Sequence, residues 1–210
     1  MNKFSRLFIT VVIVGVLASI TQAQLVWTGS VANISWDTTS PNWSNGTASA
    51  LFGPGSNVVF NDAALMTTVN ITGPVSPGSV IITNNTKVFI FTNDVITGNG
   101  GIVKAGSGAA YFGGSPTNLY AYSASHSFTG GTTVLLGSLN YYLANTNDGA
   151  RAGGGTAFGF GTGPITLGAT NASFKFTGFQ GSSLLTNNLE VVGGGDAGSH
   201  SIQYALFPSE

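Results

Sequence analysis

The sequence contains no cysteine, and only 6% of its residues are charged, against about 25% in an ordinary soluble protein. Without cysteine no disulfide can brace the chain, so strand ladders and packing must hold it together. With 6 Lys and Arg against 7 Asp and Glu there is no basic stripe of the kind that replaces counterions on nucleic acid, which excludes that class of partner. A sustained 3.6-residue apolar stripe is also missing after Gln24, so helices are not expected. Low charge is not disorder here. Disordered chains combine high net charge with low hydrophobicity, whereas this one has a net charge of -1 and 42% hydrophobic residues.

What is present is glycine, 31 residues of it, among Ser, Thr, Asn and β-branched residues. The glycines follow no three-residue period, which excludes a collagen-like chain. The mixture reads as all-β with many short strands.

Residues 1–23 read as a secretory signal peptide: Lys3 and Arg6 form a basic start, Leu7 to Ile20 an apolar run, and Thr21-Gln22-Ala23 a small-residue cleavage site. The run is shorter than the roughly 20 residues that span a bilayer, and no cysteine follows for lipid attachment. The mature chain, 24–210, would carry a net charge of 4 − 7 = −3 and no membrane span.

Strands are expected at Asn57 to Phe60, Thr68 to Ile71, Ser79 to Thr83, Lys87 to Phe91, Gly101 to Lys104, Ala109 to Phe112, Thr132 to Leu136, Pro164 to Leu167, Ser173 to Phe176 and Asn187 to Val192, with Gly-rich turns between them. Apolar-x-apolar triplets recur at Val69/Ile71, Val80/Ile82, Phe89/Phe91, Ile165/Leu167 and Phe174/Phe176. Each sends two side chains inward and one outward, which suits a narrow parallel coil better than a sandwich. Outward Thr, Asn, Ser and Lys would then stack in ladders on successive turns. In Ser127 to Leu139, Gly130-Gly131 is read as a corner, Val134 and Leu136 as inward residues and Gly137 as the next corner.

Gly98 to Gly108 (GNGGIVKAGSG), His126 to Val134 (HSFTGGTTV), Gly137-Ser138-Leu139 and Phe158 to Gly168 (FGFGTGPITLG) resemble the autotransporter-associated β-strand repeat. The opening Trp27-Thr28-Gly29, Trp36-Asp37, Asn42-Trp43 and Asn57 to Asp62 are similar to the start of large secreted proteins that bear such repeats. The resemblance implies a right-handed, single-stranded parallel β-helix, a passenger-type solenoid displayed at the cell surface. One full repeat is visible. Insertions depart from the pattern at 114–127 and 140–157, and no membrane barrel or sorting tail follows, so a chain truncated at its C-terminal end is expected, with self-association through an open last turn.

No catalytic, cofactor-binding or metal site is assigned. A β-helix lyase needs clustered carboxylates and a basic residue, but Asp37, Asp62, Asp94, Asp148 and Asp196 are scattered. Asp148 with Arg151 reads as a turn residue and a solvated partner. His126 and His200 lack neighbouring ligands, and His126 is expected at the surface. Gly193-Gly194-Gly195-Asp196 resembles one unit of the calcium-binding nonapeptides, which act only in tandem. Asn33, Asn42, Asn45, Asn70, Asn84 and Asn171 head Asn-x-Ser/Thr triplets, about the number such a composition produces by chance, and are not read as glycosylation sites. Trp27, Trp36 and Trp43 could stack on sugars, but the favoured reading makes 24–60 a Trp-rich cap over the open first turn. Tyr120, Tyr122, Tyr141 and Tyr142, placed in the two insertions, are the expected ligand contacts. The function expected is that of a non-enzymatic exported protein, structural or adhesive, at the cell surface or outside the cell. It would meet a glycan or a cell-surface partner. The alternatives are a carbohydrate-binding module and a degenerate or fragmentary polysaccharide-acting β-helix.

Overall fold

The computed structural model describes residues 24–93, 95–113, 126–142, 157–158, 160–168, 171–178, 184–185, 187–192 and 201–206. Every regular element among them is a strand: β1 (Leu25–Trp27), β2 (Ser35–Trp36), β3 (Trp43–Ser44), β4 (Ser49–Ala50), β5 (Asn57–Phe60), β6 (Thr68–Ile71), β7 (Ser79–Ile82), β8 (Phe89–Asn93), β9 (Ile102–Lys104), β10 (Ala109–Phe112), β11 (Thr132–Val134), β12 (Gly137–Tyr142), β13 (Ala157–Phe158), β14 (Ile165–Gly168), β15 (Ala172–Gly178), β16 (Leu184–Leu185), β17 (Leu189–Val192) and β18 (Ser201–Leu206).

Two sheets dominate. The first runs β17-β14-β11-β9-β7-β5-β1-β3-β4 and the second β18-β15-β12-β10-β8-β6-β2, with β13 and β16 paired separately. From β5 to β12 the chain visits the two sheets alternately, and each return adds the next strand beside the last one, always parallel. Among the described strands only β1–β3 and β3–β4 pair antiparallel. Among the described residues a third row of parallel contacts is marked by the single bridges Val75↔Ile96 and His126↔Phe160. Val58, Val80 and Ile102 hold one register column at intervals of 22 residues (80 − 58 and 102 − 80). The next two intervals are 30 (132 − 102) and 33 (165 − 132), because residues are inserted before His126 and again before Ala157.

Alternation places the core. Strands such as β6 and β7 bury every second residue, the pattern a pleated strand with one packed face requires. The second sheet sends Phe91, Phe112, Tyr141 and Phe176 into the interior from equivalent positions. Phe91 and Phe112 lie almost parallel, with centroids 4.3 Å apart. The facing column of the first sheet is Phe60, Ile82, Lys104, Val134 and Leu167, all buried. At the N-terminal end Trp27, Trp36 and Trp43 have no exposed surface. They meet one another edge to face at 5.0 Å and 5.5 Å, and all three pack on Phe60.

Several expectations need correction. The outward column of the first sheet is not uniformly polar: Val59, Ile81 and Val103 precede Thr133 and Thr166 along it. β11 ends at Val134, and Leu136 is half-buried beyond it. Residues 140–142 are not loop, because β12 runs on through Tyr142 in register with β15.

Candidate functional site

Of the four tyrosines expected to contact ligand, Tyr141 and Tyr142 fall among the described residues. Tyr141 sits on β12 with its ring wholly buried, against Phe160 at 5.0 Å and against His126 and Phe176 at 5.8 Å each. A core position in the aromatic column excludes it from surface contact. Tyr142 ends β12 opposite Thr177. Tyr120 and Tyr122 lie outside the described residues, as do Asp94, Asp148, Arg151, Asp196 and His200. The buried tryptophans offer no stacking platform to a sugar.

Asp37 and Asp62, the two described aspartates, both serve the backbone. Asp37 accepts from the amides of Thr39 and Ser40 at 2.8 Å and 2.6 Å. The Asp62 carboxylate accepts from the amides of Lys87, Asn85 and Thr86, and these bonds hold its pKa down at about 2. Among the described residues no group of three or more His, Cys, Asp or Glu could hold a metal ion. Of the asparagines heading Asn-x-Ser/Thr triplets, Asn42 and Asn84 are buried and donate through Nδ2 to backbone carbonyls, which makes them structural.

Among the described residues a lysine and a histidine lie in the core, in addition to Tyr141. Lys104 takes an inward position between Ile82 and Val134 and is fully buried. Its Nζ donates to the carbonyls of Gly106 and Leu136. Burial pushes its pKa down to about 8, against an upward pull from the Asp62 carboxylate. His126, expected at the surface, is buried at 5% exposure. Its Nδ1 accepts from the Ile96 amide at 3.1 Å, Nε2 has no hydrogen-bond partner, and burial lowers its pKa to about 4. Neither arrangement brings a nucleophile, a base and an oxyanion donor together. Sequence reasoning missed both roles. The His126 bond crosses from one turn to the next, and Lys104 bonds both its own corner and Leu136 on the following turn, so local pattern does not report them.

The two stretches read as insertions follow neighbouring strands. Residues 114–125 leave after β10 and re-enter at His126, and residues 143–156 leave after β12 and re-enter at β13. β10 and β12 are adjacent parallel strands, and His126 and Phe160 are bridged neighbours in the third row. Both stretches thus follow adjacent strands of the second sheet. Among the described residues no helix is long and apolar enough to cross a membrane. Comparison with protein-family models, with curated proteins and with solved structures finds no match.

Proposed function

We propose that the chain coils as a right-handed parallel β-helix and acts outside the cell as a non-enzymatic structural or adhesive element. Its contact surface is formed by residues 114–125 and 143–156, the stretches that follow the adjacent strands β10 and β12. The observation that carries this reading is that residues 114–125 and 143–156 follow β10 and β12, which are adjacent parallel strands. Loops fixed at one edge of a rigid scaffold are the usual place for binding residues. The alternating return to two parallel sheets supports the coil, and the repeat-like motifs and the signal-like segment 1–23 support export and display. The insertions contain one acidic and one basic residue, Asp148 and Arg151, beside Tyr120 and Tyr122. That composition favours an uncharged polar partner such as a neutral glycan, approached by aromatic stacking and hydrogen bonds.

The test is retention of the chain from residue 24 on immobilised neutral and acidic polysaccharides, with product release followed in parallel. A neutral polysaccharide is expected to retain the chain, the Tyr120→Ala/Tyr122→Ala variant should bind at least about tenfold more weakly, as losing one or two stacking contacts implies, and no oligosaccharide should appear. Turnover abolished by Asp148→Ala would replace the adhesive reading with an enzymatic one.

A further inference from the structure

His126 has no part in the proposed contact surface, yet it occupies the re-entry point of the first insertion. We infer that His126 is an acid-sensitive pin: its neutral ring ties one turn of the chain to the next through the Ile96 amide, and a proton on Nδ1 releases that corner.

The argument begins with the tautomer. Nδ1 accepts from the Ile96 N–H at 3.1 Å, so the neutral ring carries its proton on Nε2. Nε2 has no acceptor. The ring is enclosed by Phe160 and Phe112, nearly perpendicular to it at 84° and 83°, and by Phe128 and Tyr141. A neutral N–H is tolerated among aromatic faces. A second proton is not, because it must sit on Nδ1, where the Ile96 N–H already points. Two donors would then face each other across the joint. Among the described groups that meet the ring, namely Ile96, Phe112 on β10, Phe128, Tyr141 on β12 and Phe160, the Tyr141 phenol is the one ionisable side chain. No carboxylate among them could hold an imidazolium, and burial is the sole cause of the lowered pKa.

The flanking rows are strand ladders, whereas the row of His126 is joined by single bridges and by backbone bonds that include Ser127 N–H to Ile96 O at 3.0 Å, Thr129 N–H to Gly98 O at 2.9 Å, Gly161 N–H to His126 O at 3.2 Å and Thr162 N–H to Phe128 O at 2.8 Å. Opening it requires neither sheet to part. With an ordinary His value of 6.5 in the open form and about 4 in the closed form, the opening equilibrium rises about 20-fold between pH 7 and pH 5.

Hydrogen exchange of the Ile96 amide, corrected for the intrinsic pH dependence of exchange, tests this on the exported chain. Its protection should fall about 20-fold between pH 7 and 5 while amides of β7 and β9 keep theirs. In His126→Asn, whose side-chain oxygen accepts from Ile96 but does not titrate, the fall should vanish. Unchanged protection in the wild type, or the same fall in the variant, overturns the inference. If His126→Asn does not fold, His126→Phe makes the same comparison at the Ser127 amide. A side-chain NMR titration of the wild type decides independently. A proton on Nε2 at pH 7 and a depressed midpoint support the pin, and an ordinary midpoint refutes it.

Discussion

Replacing Gly137 with alanine separates the two costs that stacked corners impose on this chain. Gly137 has φ +73°, and a Cβ there would lie 2.5 Å from Gly106 O, 2.6 Å from Gly108 O and 2.7 Å from Ser107 O. All three oxygens belong to the backbone of the preceding corner, which is fixed by the β9 and β10 ladders, so no flexible side chain can yield. Two other glycines isolate the components. Gly73 has φ +84° with nothing within 4 Å of its Cβ position, so Gly73→Ala bears only the left-handed backbone cost, about 1 kcal/mol. Gly106 has no positive φ, but its Cβ would run into the carbonyl of Asn84. Gly106→Ala therefore bears only the overpacking cost, about 2–3 kcal/mol. Gly137→Ala bears both, about 4 kcal/mol. At about 3 °C per kcal/mol for a chain of this size, the melting temperature should drop by about 3 °C, 8 °C and 12 °C for Gly73, Gly106 and Gly137 in turn. Calorimetry with circular dichroism measures the series. A Gly137→Ala loss no larger than that of Gly73→Ala would refute the claim that successive corners touch through their backbones.

Phe60 meets all three tryptophans as well as Phe89 and Phe91. Phe60→Ala is expected to cost about 3–5 kcal/mol in urea unfolding and to red-shift indole fluorescence, and a loss below about 1 kcal/mol would mean that the ring cluster is not cooperative. β18 is the outermost strand of its sheet, and its six residues, SIQYAL, contain neither charge nor proline. Such an edge accepts a further strand, so light scattering of the chain from residue 24 should rise with concentration and fall in Gln203→Lys; a monomer at all concentrations removes this edge as an interface.

Local pattern reveals most of the strands and little of what joins them. The runs at Asn57–Phe60, Thr68–Ile71 and Ala109–Phe112 are strands with the bounds expected from alternation. The interval of 22 residues escaped notice because neighbouring turns share shape more than residue type, and insertions stretch later intervals to 30 and 33. Asn140 reads as a turn residue, yet it lies buried on β12 and donates to Ala110 O and Ser138 Oγ. The same limit hid the burial of Lys104 and His126. A polar residue enters the core when backbone groups are there to meet it, and part of each one's set comes from a neighbouring turn: Leu136 O for Lys104 and the Ile96 amide for His126.

The scarcity of charge then follows from how turns contact one another. In parallel stacking, equivalent positions meet their own kind on the next turn, so a charge at a repeated position would face a like charge about 4.8 Å away. Neutral hydrogen-bonding residues avoid that repulsion and join the turns: Asn57 accepts from Ser79 at 2.9 Å, the Asn93 amide donates to Asn70, and the Ser107 amide donates to Asn85 at 3.1 Å. The surface so produced has little long-range field with which to steer or select a partner by charge. Recognition is left to short-range shape, stacking and hydrogen bonds, which act only where groups are held in place. The proposed adhesive role therefore rests on the aromatic and polar residues of 114–125 and 143–156 and not on the sheets.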